Sequence, residues 1–538
     1  MKINKYILAV TALLMLCSGY IVIKQRSILN KRRSLLSCVP VKFSDRDNIF
    51  IFGIKNAPRL CNTMRKTRFF QVMKKSQYFP RIERSIIKTG IYNNDKVDQI
   101  IDMSVRDIII AFYKNSNETV SFAIIANVCR LKKLIELLDE LYLSENKKEA
   151  DTYNGLRIYR SANNHAVCIY KGIFIVSNET VLLEKIVDLK KGLTPEVSFD
   201  TVYPWVLKGI QRSSDMFLFT SNNIMAKYIA EFIKKYFDMD VRERVLISHT
   251  LHEIILDRGI YINSYSRDPA ARKSAASFPL SIAFLPEKII LGGASVDMNI
   301  PSWILDYISR YTESSIDKSV IEETVKDSSY AILGPSVENI NSVLPRCIYT
   351  FQAGNEILRT RIQEHLQKIF NTDFRKEIFN NIEYSFTELF FHVFKKIQIC
   401  ITKMDLKGKI FIIFTTSREV MEDVIRDCYG MGRFFIDTPV WKEYKKFFPK
   451  YFSSFVYADV NALIRTVGMF IADMSEEEKY VNFLDSDPFS WIGSVGSVTV
   501  YKEGYVDVHT YIPMQELSVD KWRDLINGFV RLLNEYEK

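Results

Sequence analysis

Lys171-Gly-Ile-Phe-Ile-Val-Ser177, followed by a helix-forming stretch and Phe199-Asp200-Thr201, returns about 237 residues later. The second version reads Lys407-Gly-Lys-Ile-Phe-Ile-Ile-Phe414, then another helix-forming stretch, then Ile436-Asp437-Thr438. A repeat of this period means that one folding unit has been laid down twice. In the first copy, Ala166 to Tyr170 and Ile173 to Val176 read as strands joined across Lys171-Gly172. Ser177 or Asn178 is placed to cap a helix over about Thr180 to Lys191, with Gly192 as its left-handed stop. Leu182 or Leu183, Ile186 and Leu189 give that helix one apolar stripe. The second copy repeats the grammar: strand Ile410 to Phe414, cap Thr416 or Ser417, stripe Val420, Val424 and Cys428, stop Gly430.

The agreement extends downstream. Trp205 answers to Trp441, Ser213-Ser214 to Ser453-Ser454, and strand Met216 to Thr220 to strand Phe455 to Ala458. Each copy closes with a hairpin, Val245 to Leu256 turning into Ile260 to Ser266 and Ser497 to Tyr501 turning into Tyr505 to Ile512. Gly259 and Gly504 stand at the turn positions that favour a left-handed backbone. Hairpins with helices over one face define an α+β layer arrangement. The expected fold is therefore α+β, an N-terminal transmembrane helix followed by two tandem copies of an antiparallel-sheet-plus-helices unit. The expected organisation is an anchor with a basic flank over 1–36, a first repeat domain over 38–300, a connection over 301–342 and a second repeat domain over 343–515. A C-terminal amphipathic helix over 516–538 follows, in which Trp522, Leu525, Ile526, Phe529, Leu532 and Leu533 share a face.

At 538 residues and 47% apolar content the chain is long enough to bury large cores. Its net charge of +10 looks like a nucleic-acid signal until it is located. Lys2, Lys5, Lys24, Arg26, Lys31, Arg32 and Arg33 precede residue 37 with no acidic residue among them, leaving only +3 on the rest. The basicity flanks the apolar run, so no nucleic-acid partner is expected. That run, Tyr6 to Ile23, is uncharged over 18 positions, roughly 27 Å as a helix and enough to cross a bilayer core. Cys17-Ser18-Gly19 offers a cleavage site or a lipidated cysteine, the alternatives being an outer-membrane lipoprotein or a cleaved secreted form. Tyr20-Ile21-Val22-Ile23 continues the run past it, which favours an uncleaved single-pass anchor. The count of Lys and Arg on either side of the run favours a cytoplasmic body. The eight cysteines show neither zinc-knuckle nor CxxC spacing, and Cys168 and Cys400 sit inside apolar runs as small core residues.

With Val39-Pro40 opening the first part and Leu344-Pro345 its counterpart, the layout resembles a duplicated-domain family of envelope-anchored proteins from Bacteroidota-type bacteria. Ile175-Val176-Ser177 with Val181-Leu-Leu-Glu184, then Phe199, carries the clearest likeness. The family is a domain of unknown function. The resemblance implies an inner-membrane location with the bulk of the chain extracytoplasmic, and it supplies no catalytic residues.

Candidate chemistry is sparse. His249-Thr-Leu-His252-Glu253 imitates a helical zinc site, but on a strand residues three apart point to opposite faces, so no metal is expected there. Asp485-Ser486-Asp487 before Pro488 marks a polar turn, and Gly493-Ser-Val-Gly496 lacks the lysine of a phosphate loop. Asp200-Thr201 and Asp437-Thr438 read as capping pairs opening the helices that hold Trp205 and Trp441. Ser475-Glu476-Glu477-Glu478 reads as a solvated helix start. No nucleophile, base and orienting group assemble, so no catalytic, cofactor-binding or metal residues and no cofactors are expected. The function expected is non-catalytic: a membrane-anchored protein, held through residues 6–23, that binds or scaffolds envelope components. The rivals are a binding protein for lipid or another apolar ligand, and a hydrolase with a dispersed site.

Overall fold

In the computed structural model, the residues described are 35–40, 48–55, 60, 105–114, 120–128, 131–139, 151–160, 166–193, 198–203, 205–206, 215–220, 250–257, 259–267, 278–297, 326–334, 346–354, 357–391, 395–430, 434–463, 465–466 and 493–513. They fall into two compact units, residues 1–224 with 248–255, and residues 225–247 with 256–538.

The first unit contains β1 (Asn48–Lys55), β2 (Val105–Lys114), β3 (Val120–Val128), helix α1 (Leu131–Leu138), β4 (Asp151–Tyr153), β5 (Leu156–Arg160), β6 (Ala166–Tyr170), β7 (Ile173–Ser177), helices α2 (Thr180–Lys191) and α3 (Phe199–Val202), β8 (Met216–Thr220) and β9 (Thr250–Asp257). Its strands lie side by side in the order β4-β5-β6-β7-β3-β2-β1-β8-β9, every pair antiparallel. The second unit contains β10 (Gly259–Arg267), β11 (Leu291–Asp297), β12 (Lys326–Leu333), β13 (Arg346–Ala353), helix α4 (Ile357–Phe370), β14 (Arg375–Phe379), β15 (Ile382–Phe391), β16 (Lys395–Leu406), β17 (Lys409–Thr415), helices α5 (Arg418–Cys428) and α6 (Pro439–Tyr444), β18 (Ser454–Asp459), β19 (Ser494–Lys502) and β20 (Tyr505–Pro513). Its order is β14-β15-β16-β17-β13-β12-β11-β18-β19-β20-β10, again wholly antiparallel. From β11 to β19 the second unit retraces the path that the first takes from β1 to β9.

The α+β expectation is thereby corrected: the described residues are mainly antiparallel sheet, and the described helices are few. The physical reason lies in stretches such as Val105–Lys114 and Ile382–Phe391, whose β-branched and aromatic residues favour extended backbone over a helical layer. The expected transmembrane helix over Tyr6 to Ile23 lies outside the described residues, as does the C-terminal helix over 516–538. No described helix is long and apolar enough to cross a membrane. Within the stretch read as a connection, Lys326–Leu333 forms β12, flanked on both sides by paired strands. The position of Val39-Pro40 is occupied in the second unit by Leu285-Pro286, not Leu344-Pro345. Pro40 bridges Ser198 and Pro286 bridges Phe434, while Phe199 N and Phe435 N donate to Val39 O and Leu285 O, each at 2.9 Å.

Turn chemistry sets the register. Asn154-Gly155, Lys171-Gly172, Asn380-Asn381 and Lys407-Gly408 all have positive φ at both residues. That is the primed turn whose twist matches a two-residue hairpin. The matching helices α2 and α5 bury the same positions, Leu182, Leu183, Ile186 and Val187 in α2, and Val420, Met421, Val424 and Ile425 in α5. Gly192 ends α2 in the left-handed region, with Leu193 N reaching back to Asp188 O at 2.9 Å. The cap is Glu179 by position, while Asn178 Oδ1 instead accepts from Phe122 N of β3 at 2.8 Å. In α5 the cap position is Ser417, and Thr416 Oγ1 accepts from Cys347 N of β13 in the same way. Helices cover both faces: α1 packs Leu134 and Leu138 on Tyr159 and Val167, and in the second unit α5 and α4 serve different clusters.

The core of the second unit centres on Phe435, Trp441, Tyr444 and Phe455. Tyr444 is fully buried and its hydroxyl shares a 2.8 Å hydrogen bond with Ser494. Gly496 makes room for its ring: a Cβ there would lie 2.4 Å from Tyr444 Cε1. Gly496→Ala should therefore destabilise the second unit by about 1–3 kcal/mol, as overpacking of a fixed core does. Thermal melting tests this, and Tyr444→Leu in the same background should recover part of the loss.

Candidate functional site

Two polar constellations stand out in the second unit. The first sits where α5 begins beside β14, β15 and β16. Arg418 Nη2 donates to Glu377 Oε1 at 2.6 Å, and the guanidinium lies 4.8 Å from the centroid of the Phe386 ring. Tyr384, fully buried on β15, donates its hydroxyl to Glu377 Oε2 at 2.7 Å and lies 3.3 Å from Glu422 Oε1. Burial, reinforced by Glu377, pushes the Tyr384 phenol well above its ordinary range, so it stays a donor. Arg346 Nη1 pairs with Glu419 at 2.7 Å on the neighbouring side. Cations and carboxylates alternate and satisfy one another, which fastens the β14–β15 hairpin to α5. In the first unit the corresponding hairpin is held differently: Tyr153 and Asn154 donate to the two oxygens of Asp188 on α2, at 2.6 and 2.8 Å. That bond pushes the Tyr153 phenol up to about 12.

The second constellation lines the β10–β20 ladder. Tyr261 and His509 share a 2.5 Å hydrogen bond through His509 Nδ1. Lys502 Nζ pairs with the buried carboxylate of Asp507, and Asn263 Nδ2 donates to Tyr265. Residues two apart on a strand share a face, which is why Tyr261, Asn263 and Tyr265 meet Asp507, His509 and Tyr511. Phe447 stacks on Tyr511 at 3.9 Å and Glu443 accepts from its hydroxyl at 3.3 Å. The imidazole and phenol are hydrogen-bonded, and their contact joins two strands. The alternation Tyr261-x-Asn263-x-Tyr265 and Asp507-x-His509-x-Tyr511 is the signal in the sequence that could have found this cluster.

The residues singled out from the sequence are not brought together. His252 lies on β9 opposite Leu218, half-buried, with Glu253 buried on the other face, and His249 lies outside the described residues. Asp485, Asp487 and Ser475 to Glu478 also lie outside them. Ser494 and Gly496 belong to β19 and pack on Tyr444. Thr438 caps α6, accepting from Trp441 N at 3.2 Å, with Pro439 in the first turn. Thr201 shares a 2.8 Å hydrogen bond with Ser198, which precedes α3. Among the described residues no group of three or more His, Cys, Asp or Glu could hold a metal ion, and Cys168, Cys400 and Cys428 are free thiols. Compared with known proteins, the chain matches no family, no curated protein and no solved structure.

Burial depresses the affinity of both His252 and His509 for protons. In the unfolded chain an imidazole takes its proton near about pH 6.5, whereas in the fold these two take theirs at lower pH. The unfolded state therefore binds more protons across that window, and stability present above about pH 6.5 is lost as pH falls. Melting midpoints measured between about pH 7 and pH 5 should drop, and the drop should shrink in His509→Gln and in His252→Gln.

Proposed function

We propose that this protein is a non-catalytic contact protein of the cell envelope, held at a membrane by the apolar run at residues 6–23, whose sheet units bind or scaffold other envelope components. The observation that supports this reading most is the use to which its chemically capable side chains are put. Arg418, Glu377 and Tyr384 brace a hairpin, Thr438 caps a helix, and Tyr261 with His509 joins two strands. Groups engaged in this way rigidify a framework, and a rigid framework lowers the ordering cost of binding a partner. The reading places the units outside the cytoplasm, in line with the resemblance carried by Ile175-Val176-Ser177 and Phe199.

Crosslinking in intact cells, followed by solubilisation of the membrane fraction and recovery of the tagged full-length chain, tests the proposal. A defined set of envelope proteins should co-purify in near-stoichiometric amounts. Recovery of nothing above background, or of bound lipid alone by mass spectrometry, would overturn it. A reporter fused at the C-terminus should be active only outside the cytoplasm, and cytoplasmic activity would sink the envelope assignment independently of the partner question.

A further inference from the structure

The matching paths of the two units allow their interiors to be compared residue by residue. A row of paired residues crosses the first unit as Gly53, Ile109, Ile125, Ile175, Cys168 and Ile158. Its counterpart in the second unit is Ala294, Ser329, Thr350, Ile413, Thr402 and Tyr384. The correspondence is anchored by two hydrogen bonds of the same kind, Asn178 N to Phe122 O and Thr416 N to Cys347 O. Beside the row, Val39 N donates to Leu36 O and Leu285 N to Ile282 O, so Ser281 stands where Leu35 does.

Leu35, Ile109 and Ile125 are buried aliphatics, and the three residues that replace them, Ser281, Ser329 and Thr350, are equally buried hydroxyls. Ser329 Oγ donates to Ser281 O at 2.9 Å. Ser281 Oγ and Thr350 Oγ1 are enclosed yet reach no protein hydrogen-bond partner among the described residues. Phe284, in the place of Cys38, packs on Phe411 at 5.1 Å and restores hydrocarbon to the region, but it offers nothing to a hydroxyl. A buried hydroxyl without a partner is costly, and polar groups so placed are normally satisfied by ordered water.

We infer that the second unit contains an internal hydration site, in which one or two water molecules hydrogen-bond Ser281 Oγ and Thr350 Oγ1 beneath the 3₁₀ turn Leu280–Phe284. Water suits the donor set better than a cation does. The buried carboxylate of Asp327 uses both oxygens to accept from Leu280 N and Ser281 N, each at 2.9 Å. The hydroxyls themselves are neutral and act as donor and acceptor alike.

Thr350→Val keeps the shape of the side chain and deletes the hydroxyl. If water fills the site, the substitution leaves that water short of a partner, and thermal melting of the full chain should show a midpoint lowered by about 2–4 °C. A midpoint raised by the same substitution means a dry, unsatisfied hydroxyl and overturns the proposal. Ser281→Ala, read in the same way, provides the second variant. A high-resolution crystal structure of the wild-type chain decides the matter even where a variant fails to fold. Ordered water within hydrogen-bond distance of Ser281 Oγ and Thr350 Oγ1 supports the site, and hydrocarbon packed against both oxygens removes it.

Discussion

Register is the constraint on which both units depend. In antiparallel sheet a slip of one residue sends every side chain to the opposite face. Here the slip is blocked by turns in which both residues adopt positive φ, Lys171-Gly172 between β6 and β7 and Lys407-Gly408 between β16 and β17. The glycine in each takes that conformation at little cost, whereas the lysine is held there by the ladder on either side. Once β7 and β17 are fixed, the strands they pair with follow, and the buried positions of α2 and α5 find matching surfaces beneath them. The Pro40 and Pro286 bridges then hold Phe199 and Phe435 where the next aromatic layer needs them.

Much of this was legible in the sequence near the repeated segment. The strand Met216–Thr220, the helix Thr180–Lys191 with its glycine stop, and the capping role of Thr438 each follow from local signals. Those signals depend on residues a few positions apart, where backbone sterics and capping decide the outcome. The outer strands were harder to read. Arg375–Phe379 carries three charged residues in five, a composition that suits an exposed sheet edge as readily as a loop. Val39-Pro40 has two look-alikes further along the chain, Leu285-Pro286 and Leu344-Pro345, with the same hydrophobic-proline pair. The bridge from Pro286 to Phe434 and the bond from Phe435 N to Leu285 O mark Leu285-Pro286 as the counterpart.

The polar clusters leave little local signature in the sequence, for a physical reason. Catalytic strings such as His249-Thr-Leu-His252 are recognised by spacing along the chain, but the polar groups that matter in a sheet are neighbours across strands. Tyr261 and His509 are 248 positions apart and meet because β10 pairs with β20. Arg418 and Glu377 meet because a helix start lies over an outer hairpin, 41 residues distant. Neither juxtaposition leaves a local pattern stronger than alternation.

The two units show how far an interior can change while its backbone path stays fixed. One interior is closed by isoleucine, leucine and cysteine, and the other carries Ser329, Thr350, Thr402 and Tyr384 along the same row. Removing hydrocarbon from a core lowers the driving force for folding, so a second unit altered in this way needs compensation. Aromatic packing is common to both units, around Phe199, Trp205 and Phe219 in the first and around Phe435, Trp441 and Phe455 in the second. Part of the compensation comes instead from hydrogen bonds that engage three of the four hydroxyls of the row. Thr350 is the exception. Its hydroxyl lies between Ser329 and Ile413 on the neighbouring strands, in a place where the first unit keeps Ile125. A β-branched side chain satisfies the strand at either position, so threonine in place of isoleucine trades an ethyl group for a hydroxyl at no cost to the extended backbone.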